Sequence, residues 1–133
     1  MLQWHMNDGA MERVGIILYA HGARDPRWAE PFEQLLARIR ELEPGIPARL
    51  AFLEHLEPNL TNAVQALVRQ GVRRIRIVPL FFGRGGHLRE DFPRHLEAAR
   101  ASAPAVQFEV TDAAGETPAV IEALASFALS ELK

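Results

Sequence analysis

Apolar residues along this chain gather in short blocks, and the polar stretches between them carry a helical rhythm. Residues 14–20, Val-Gly-Ile-Ile-Leu-Tyr-Ala, contain no charged side chain. A run this short reads as a strand covered on both faces, the kind found inside parallel sheets. His21-Gly22-Ala23-Arg24-Asp25-Pro26 breaks it with a glycine and a proline. Beyond the break, Phe32, Leu35, Leu36, Ile39 and Leu42 recur at spacings of three and four. That is the inner stripe of a helix, closed by Pro44-Gly45. Residues 48–53 form the second expected strand. A second helix is expected from Pro58, with Leu60, Ala63, Val64, Leu67 and Val68 facing inward and Gly71 as its cap. A third strand is expected over 75–82, with Arg73, Arg74 and Arg76 marking a solvent-reachable start. Gly83-Arg84-Gly85-Gly86 ends it. A helix from about 87 to 101 then uses Leu88, Phe92, Leu96 and Ala99, with Pro93 either restarting or kinking it. A short fourth strand covers 106–110. Thr117-Pro118 opens a last helix carrying Val120, Ile121, Leu124 and Phe127.

Four strands alternating with four helices through short links predict a three-layer α/β/α sandwich. Its four-stranded sheet should be mainly parallel, with right-handed crossovers. One domain is expected over 14–133, preceded by a loose leader over 1–13 that lacks the apolar core of a signal peptide. Met11 is an alternative start. The chain has no cysteine, which rules out disulfides, thiolate zinc sites and thiol nucleophiles and suits the cytoplasm. A formal charge of -2 with mixed signs gives no basic surface for nucleic acid. The apolar runs are strand-sized, far short of the ~20 residues that cross a membrane.

Ligands of open parallel sheets gather at the carboxyl ends of the strands. Three chemically distinctive residues fall there: His21 after the first strand, Glu54 after the second and His87 in the loop after the third. Two imidazoles and a carboxylate suit a divalent metal of intermediate hardness. From position alone, the alternative is two histidines at loop ends and a surface carboxylate. The loop Gly83–Gly86 either lets backbone approach a flat ligand or merely connects two elements, and it lacks the endings of nucleotide-binding loops. Arg24, Arg27, Arg84 and Arg89 give the same edge a positive cast suited to carboxylates. Trp28 and Phe82 either stack on a flat ligand or pack. His55 should point away from Glu54 by strand alternation, and His95 lies on a helix, so both are poor ligand candidates. Asp25, Asp91 and Asp112 read as helix caps.

Taken together in order, several motifs resemble the short CbiX-type sirohydrochlorin chelatases, over nearly the whole chain after residue 13. They are His21-Gly22-Ala23-Arg24-Asp25-Pro26, Phe52-Leu53-Glu54 with Glu57-Pro58, Val78-Pro79-Leu80-Phe81-Phe82, and Gly86-His87-Leu88-Arg89-Glu90-Asp91-Phe92-Pro93. The family usually has serine where Ala23 stands. The resemblance implies a class II chelatase fold and an ATP-independent lyase that needs no nucleotide. Its metal substrate would be Co²⁺, or Ni²⁺ or Fe²⁺ in related proteins, inserted into sirohydrochlorin for cobalamin or sirohaem. It makes His21, Glu54 and His87 the metal-handling and catalytic residues, and directs Arg24, Arg84, Gly85, Gly86 and Arg89 to the acidic tetrapyrrole. It also implies a homodimer enclosing a shared cleft, for which Phe81, Phe82, Leu88 and Phe92 are contact candidates. The main rival is a carrier that binds a tetrapyrrole or metal without catalysis. A phosphate-transfer histidine fits poorly, because Ala20 stands where such a motif needs an arginine.

Overall fold

The computed structural model describes residues 13–83 and 86–132, and for 86–89 the backbone course only. In chain order the elements are β1 (Arg13–Ala20), α1 (Glu30–Leu42), β2 (Ala48–Phe52), α2 (Leu60–Arg69), β3 (Val72–Pro79), α3 (Gly86–Ser102), β4 (Gln107–Val110) and α4 (Pro118–Leu129). Short 3₁₀ turns at Pro26–Ala29 and Ala114–Glu116 precede α1 and α4. The sheet order is β2-β1-β3-β4, and every pairing is parallel.

That order fixes the layers. The chain moves outward from β1 to β2, then crosses back over β1 to β3 and on to β4. With right-handed crossovers, α1 falls on one face and α2 and α3 on the other. The side chains follow the alternation of an extended backbone. Ile17 and Tyr19 point into a core shared with Leu60, Val64, Leu67 and Phe92. Leu18 and Ala20 point the opposite way, toward Trp28, Phe32, Leu36 and Ile39. Ile17, Leu67, Ile75 and Ile77 have no accessible surface, so each burial contributes roughly 1.5–3 kcal/mol. The two faces explain why residues 14–20 are apolar throughout.

Several boundaries differ from the sequence pattern, each for a local reason. Arg13 belongs to β1 and not to a leader: it pairs with Val72 and its guanidinium donates to the Gln70 carbonyl at 2.8 Å. The rest of the expected leader, 1–12, lies outside the described residues. Helix α2 starts at Leu60, after Pro58, because the Asn59 side chain accepts from the Asn62 amide at 2.8 Å and caps it there. Gly71 follows α2 with φ +85, the left-handed position of a helix-ending glycine. Strand β3 begins at Val72 and ends at Pro79. Arg76 does not mark a wet strand end; its Nε lies 3.0 Å from the carboxylate of buried Glu109 on β4. Helix α3 runs through Pro93 unbroken. Asp25 caps its turn by accepting from the Arg27 amide, which with the Arg27 guanidinium holds its carboxyl below the usual range. Asp91 and Asp112 are not caps: Asp91 sits inside α3 and pairs with Arg94 at 2.6 Å, and Asp112 precedes the Ala113 that opens the next turn.

Helix α4 departs furthest. Nearly every residue of Pro118–Leu129 is apolar, yet none is buried. Ile121, Leu124 and Phe127, the apolar residues the sequence places on this helix, are 45%, 40% and 76% exposed. Periodicity identifies an apolar helix and leaves open what covers it. Conversely, Phe81 and Phe92, expected as contact candidates, are core residues, whereas Phe82 is 70% exposed. Leu88 lies outside the described side chains. No helix among the described residues is long and apolar enough to cross a membrane.

Candidate metal-handling site

Strands β1 and β3 are neighbours, but β1 leads to α1 on one face and β3 leads to α3 on the other. Their connections part at the carboxyl edge and leave a crevice between them, the position where open α/β sheets bind ligands. Strand β2 flanks β1 on its other side, so the residues that follow it border the same crevice.

The β1–β2 pairing does not stop at the strand ends. Ala20 is paired with Phe52, after which the Leu53 amide donates to the Ala20 carbonyl at 2.9 Å and the Glu54 amide to the His21 carbonyl at 3.0 Å. This continued ladder sets His21 beside Glu54. Gly22 makes the approach possible. Its φ is +97, and a Cβ there would overlap the Glu54 carbonyl oxygen, so a side chain is excluded by both conformation and space.

The two side chains meet at the crevice. His21 Nε2 lies 3.0 Å from Glu54 Oε2, with the side chains 42% and 41% exposed. For this contact to be a hydrogen bond, Nε2 must carry the proton and donate it to the carboxylate. A divalent cation that displaced that proton would find a nitrogen and an oxygen donor already converging, with water able to fill its other positions. Metal loading is therefore coupled to proton release.

A second histidine joins them against expectation. His55 Nε2 lies 3.7 Å from the same Glu54 oxygen. Strand alternation fails as a guide because β2 ends at Phe52 and His55 adopts φ +69, which turns its side chain back alongside Glu54. Among the described residues no cluster of three or more His, Asp or Glu side chains has the arrangement of a metal site. His87 falls in the first turn of α3, and its side chain, like that of Arg89, lies outside the described residues. Of the predicted trio, then, the structure brings together His21 and Glu54. Gly86 opens α3; Arg84 and Gly85 lie outside the described residues. Arg24 is exposed in the loop after β1. Trp28 packs, its ring 4.7 Å from that of Phe32.

Two residues before His21, Tyr19 is fully buried, and its hydroxyl is 3.0 Å from His95 Nδ1 on α3. Burial, together with the Asp91 carboxylate, pushes the phenol's pKa above its ordinary value, which keeps it a donor. Beside the crevice, an apolar groove of about 200 Å³ runs between Phe32, Leu80, Phe82, Val120 and Leu124.

Residues 15–129 match the CbiX family model. The chain belongs to the CbiX family. The sirohydrochlorin cobaltochelatase of Methanosarcina barkeri is 33% identical over 85 residues, 64% of this chain and 65% of that protein. The enzyme of the same name from Saccharolobus islandicus is 33% identical over 86 residues, 62% of this chain and 63% of its own. The chain thus spans just under two thirds of the length of the curated relatives it matches. A crystal structure of a CbiX protein from Marinobacter aquaeolei VT8 superposes with a TM-score of 0.78 at 35% identity, over 90% of this chain and 97% of that one. SirB of Bacillus subtilis, solved with Fe³⁺, shares the fold at a TM-score of 0.72 and 24% identity, over 85% of this chain and 45% of that one.

Tyr19, His55 and His95 carried no usable signal in the sequence. Tyr19 sits in a run of core residues, His55 is misread by alternation, and His95 finds its partner only through folding. Gly22 was legible as a loop glycine, not as the contact point of two strands. Its role is measurable by urea unfolding. Gly22→Ala should lose at least ~2 kcal/mol of stability, since a non-glycine residue at this φ already costs about 1–2 kcal/mol. Gly45→Ala, with nothing within 4 Å of the added Cβ, should change stability by less than ~0.5 kcal/mol. Equal effects at the two glycines would contradict the close approach.

Proposed function

We propose that this CbiX chain is an ATP-independent chelatase that inserts a divalent metal, Co²⁺ in the first instance, into sirohydrochlorin. The observation that carries the reading is the His21–Glu54 pair at the switch point of the sheet, held by backbone pairing on the side where a ligand enters. The sirohydrochlorin cobaltochelatases among its relatives give the substrate class. In this account His21 and Glu54 hold the incoming metal, and His87, the other histidine of the resembled motif, completes the protein's donor set. Few and exchangeable donors suit a site that must release its metal to four ring nitrogens. The departing pyrrole protons pass to the donors the metal vacates, with the imidazoles of His21 and His87 the natural acceptors. Arg24, Arg84 and Arg89 receive the macrocycle's carboxylates, and Gly85 and Gly86 let the backbone approach its plane. No nucleotide enters the scheme.

The second part of the proposal is a homodimer built on α4. A helix apolar on nearly all sides belongs in a core, and here its exposed side chains adjoin Phe82 and the groove beside the crevice. A second copy supplies a matching surface by symmetry, since a two-fold interface pairs a patch with itself. It would also deepen a half-open site, as a macrocycle needs most of its surface enclosed.

Two experiments test these parts. Purified protein with sirohydrochlorin and Co²⁺ should accelerate the absorbance change of metallation, and His21→Ala, Glu54→Gln or His87→Ala should each lower the rate about 100-fold or more with circular dichroism unchanged. Saturable binding with no acceleration would favour the carrier instead. Light scattering on a sizing column should give a dimer at micromolar concentration, and Leu124→Glu with Phe127→Glu should give a folded monomer. A wild-type monomer at all concentrations would refute the α4 interface.

A further inference from the structure

Tyr19 is the last residue of β1 on the sheet face covered by α2 and α3, two positions ahead of His21. It has no accessible surface, and its ring is gripped from two directions: by Phe92 of α3 at 5.2 Å and by Phe81, which leads out of β3, at 6.1 Å. Packing of this kind needs only a phenylalanine. The hydroxyl is an added cost in a core unless it is paired, and here its partner is His95 Nδ1 at 3.0 Å, on the helix that follows the β3 loop. A buried polar contact of this kind specifies how two elements fit together more than how tightly they associate.

The helix face involved is informative. Positions 87, 91 and 95 recur at four-residue intervals and so lie on one face of α3. The face held at His95 is therefore the face that carries position 87, roughly 12 Å along the axis. If α3 rolled by about 15°, a side-chain tip about 6 Å from its axis would move by about 1.5 Å, and an error of ~1 Å is enough to cost a reaction about 100-fold. Phe92, Leu96 and Ala99 pack α3 into the core, and the hydrogen bond to His95 adds a directional contact to that packing.

We propose that Tyr19 and His95 are a positioning pair, which sets the rotation of α3, the helix whose first turn carries position 87, against the β1 strand that leads to His21. The role rests on the chelatase reading above. Neither residue needs to touch metal or macrocycle.

Tyr19→Phe keeps the ring and removes the hydroxyl, His95→Leu removes the imidazole, and His95→Asn keeps a polar group near the Nδ1 position. Tyr19→Phe and His95→Leu should each speed amide hydrogen exchange about tenfold across 86–95, alter the visible absorption of bound Co²⁺, and lower kcat 10- to 100-fold at unchanged KM. His95→Asn should stay near wild type. The Tyr19→Phe/His95→Leu double variant should be no worse than either single, because both remove the same interaction. Additive losses in the double variant would overturn the pair. So would exchange across 86–95 that matches wild type, or a Co²⁺ spectrum unchanged in Tyr19→Phe. Failure of the chelatase reading has a separate signature, a wild-type protein that binds Co²⁺ but never metallates sirohydrochlorin. The exchange and Co²⁺ spectra decide the pair in that case too.

Discussion

Parallel pairing of β1 with β2 beyond the formal ends of both strands is the constraint on which this structure turns. Two amide-to-carbonyl bonds, from Leu53 to Ala20 and from Glu54 to His21, carry the ladder into the loops. They place a histidine and a glutamate from distant parts of the chain side by side, without any contact of their own having to fold them together. Gly22 permits the approach, and the buried β1 residues Ile17 and Tyr19 lock the strand that presents it. The site's geometry is thus inherited from the sheet. Its polar groups contribute little to stability, since a pair this exposed is well screened by solvent.

The opposite half of the crevice is organised differently. Strand β3 pairs along almost all of β1, so the exit of its loop is fixed. The ladder runs one step further, from the Leu80 amide to the Tyr19 carbonyl at 2.8 Å, before the chain crosses to α3. Side chains replace the ladder: Phe81, Phe92, Tyr19 and His95 converge where β1, the β3 loop and α3 meet. One wall of the site is therefore set by backbone hydrogen bonds and the other by packing and one side-chain pair. The contrast accounts for a site that combines a rigid His21–Glu54 edge with a wall that depends on helix orientation.

How much of this was legible in the sequence varies with the kind of force involved. The α/β alternation was readable because an apolar run buried on both faces, such as residues 14–20, leaves a pattern that no surface element imitates. His21 and Glu54 were readable as strand-end residues, since the switch-point rule needs only strand order. Their direct contact was not, because it depends on a register that no local pattern encodes. His55 was misjudged for the same reason: alternation holds within a strand, and β2 ends two residues before Glu54. Arg76 was misread as a mark of solvent because its partner, Glu109, lies on a strand still to come in the sequence. Helix α4 was legible as an apolar helix but its exposure was not, since an apolar stripe says that a surface must be covered and not by what.

The central claim, that metal is taken up between His21 and Glu54, is tested most directly by anomalous diffraction from crystals exposed to stoichiometric Co²⁺. The account predicts a cobalt peak within bonding distance, about 2.0–2.2 Å by analogy with similar divalent sites, of His21 Nε2 and a Glu54 carboxylate oxygen. A single fully occupied cobalt elsewhere, with no density within about 4 Å of His21, would contradict it.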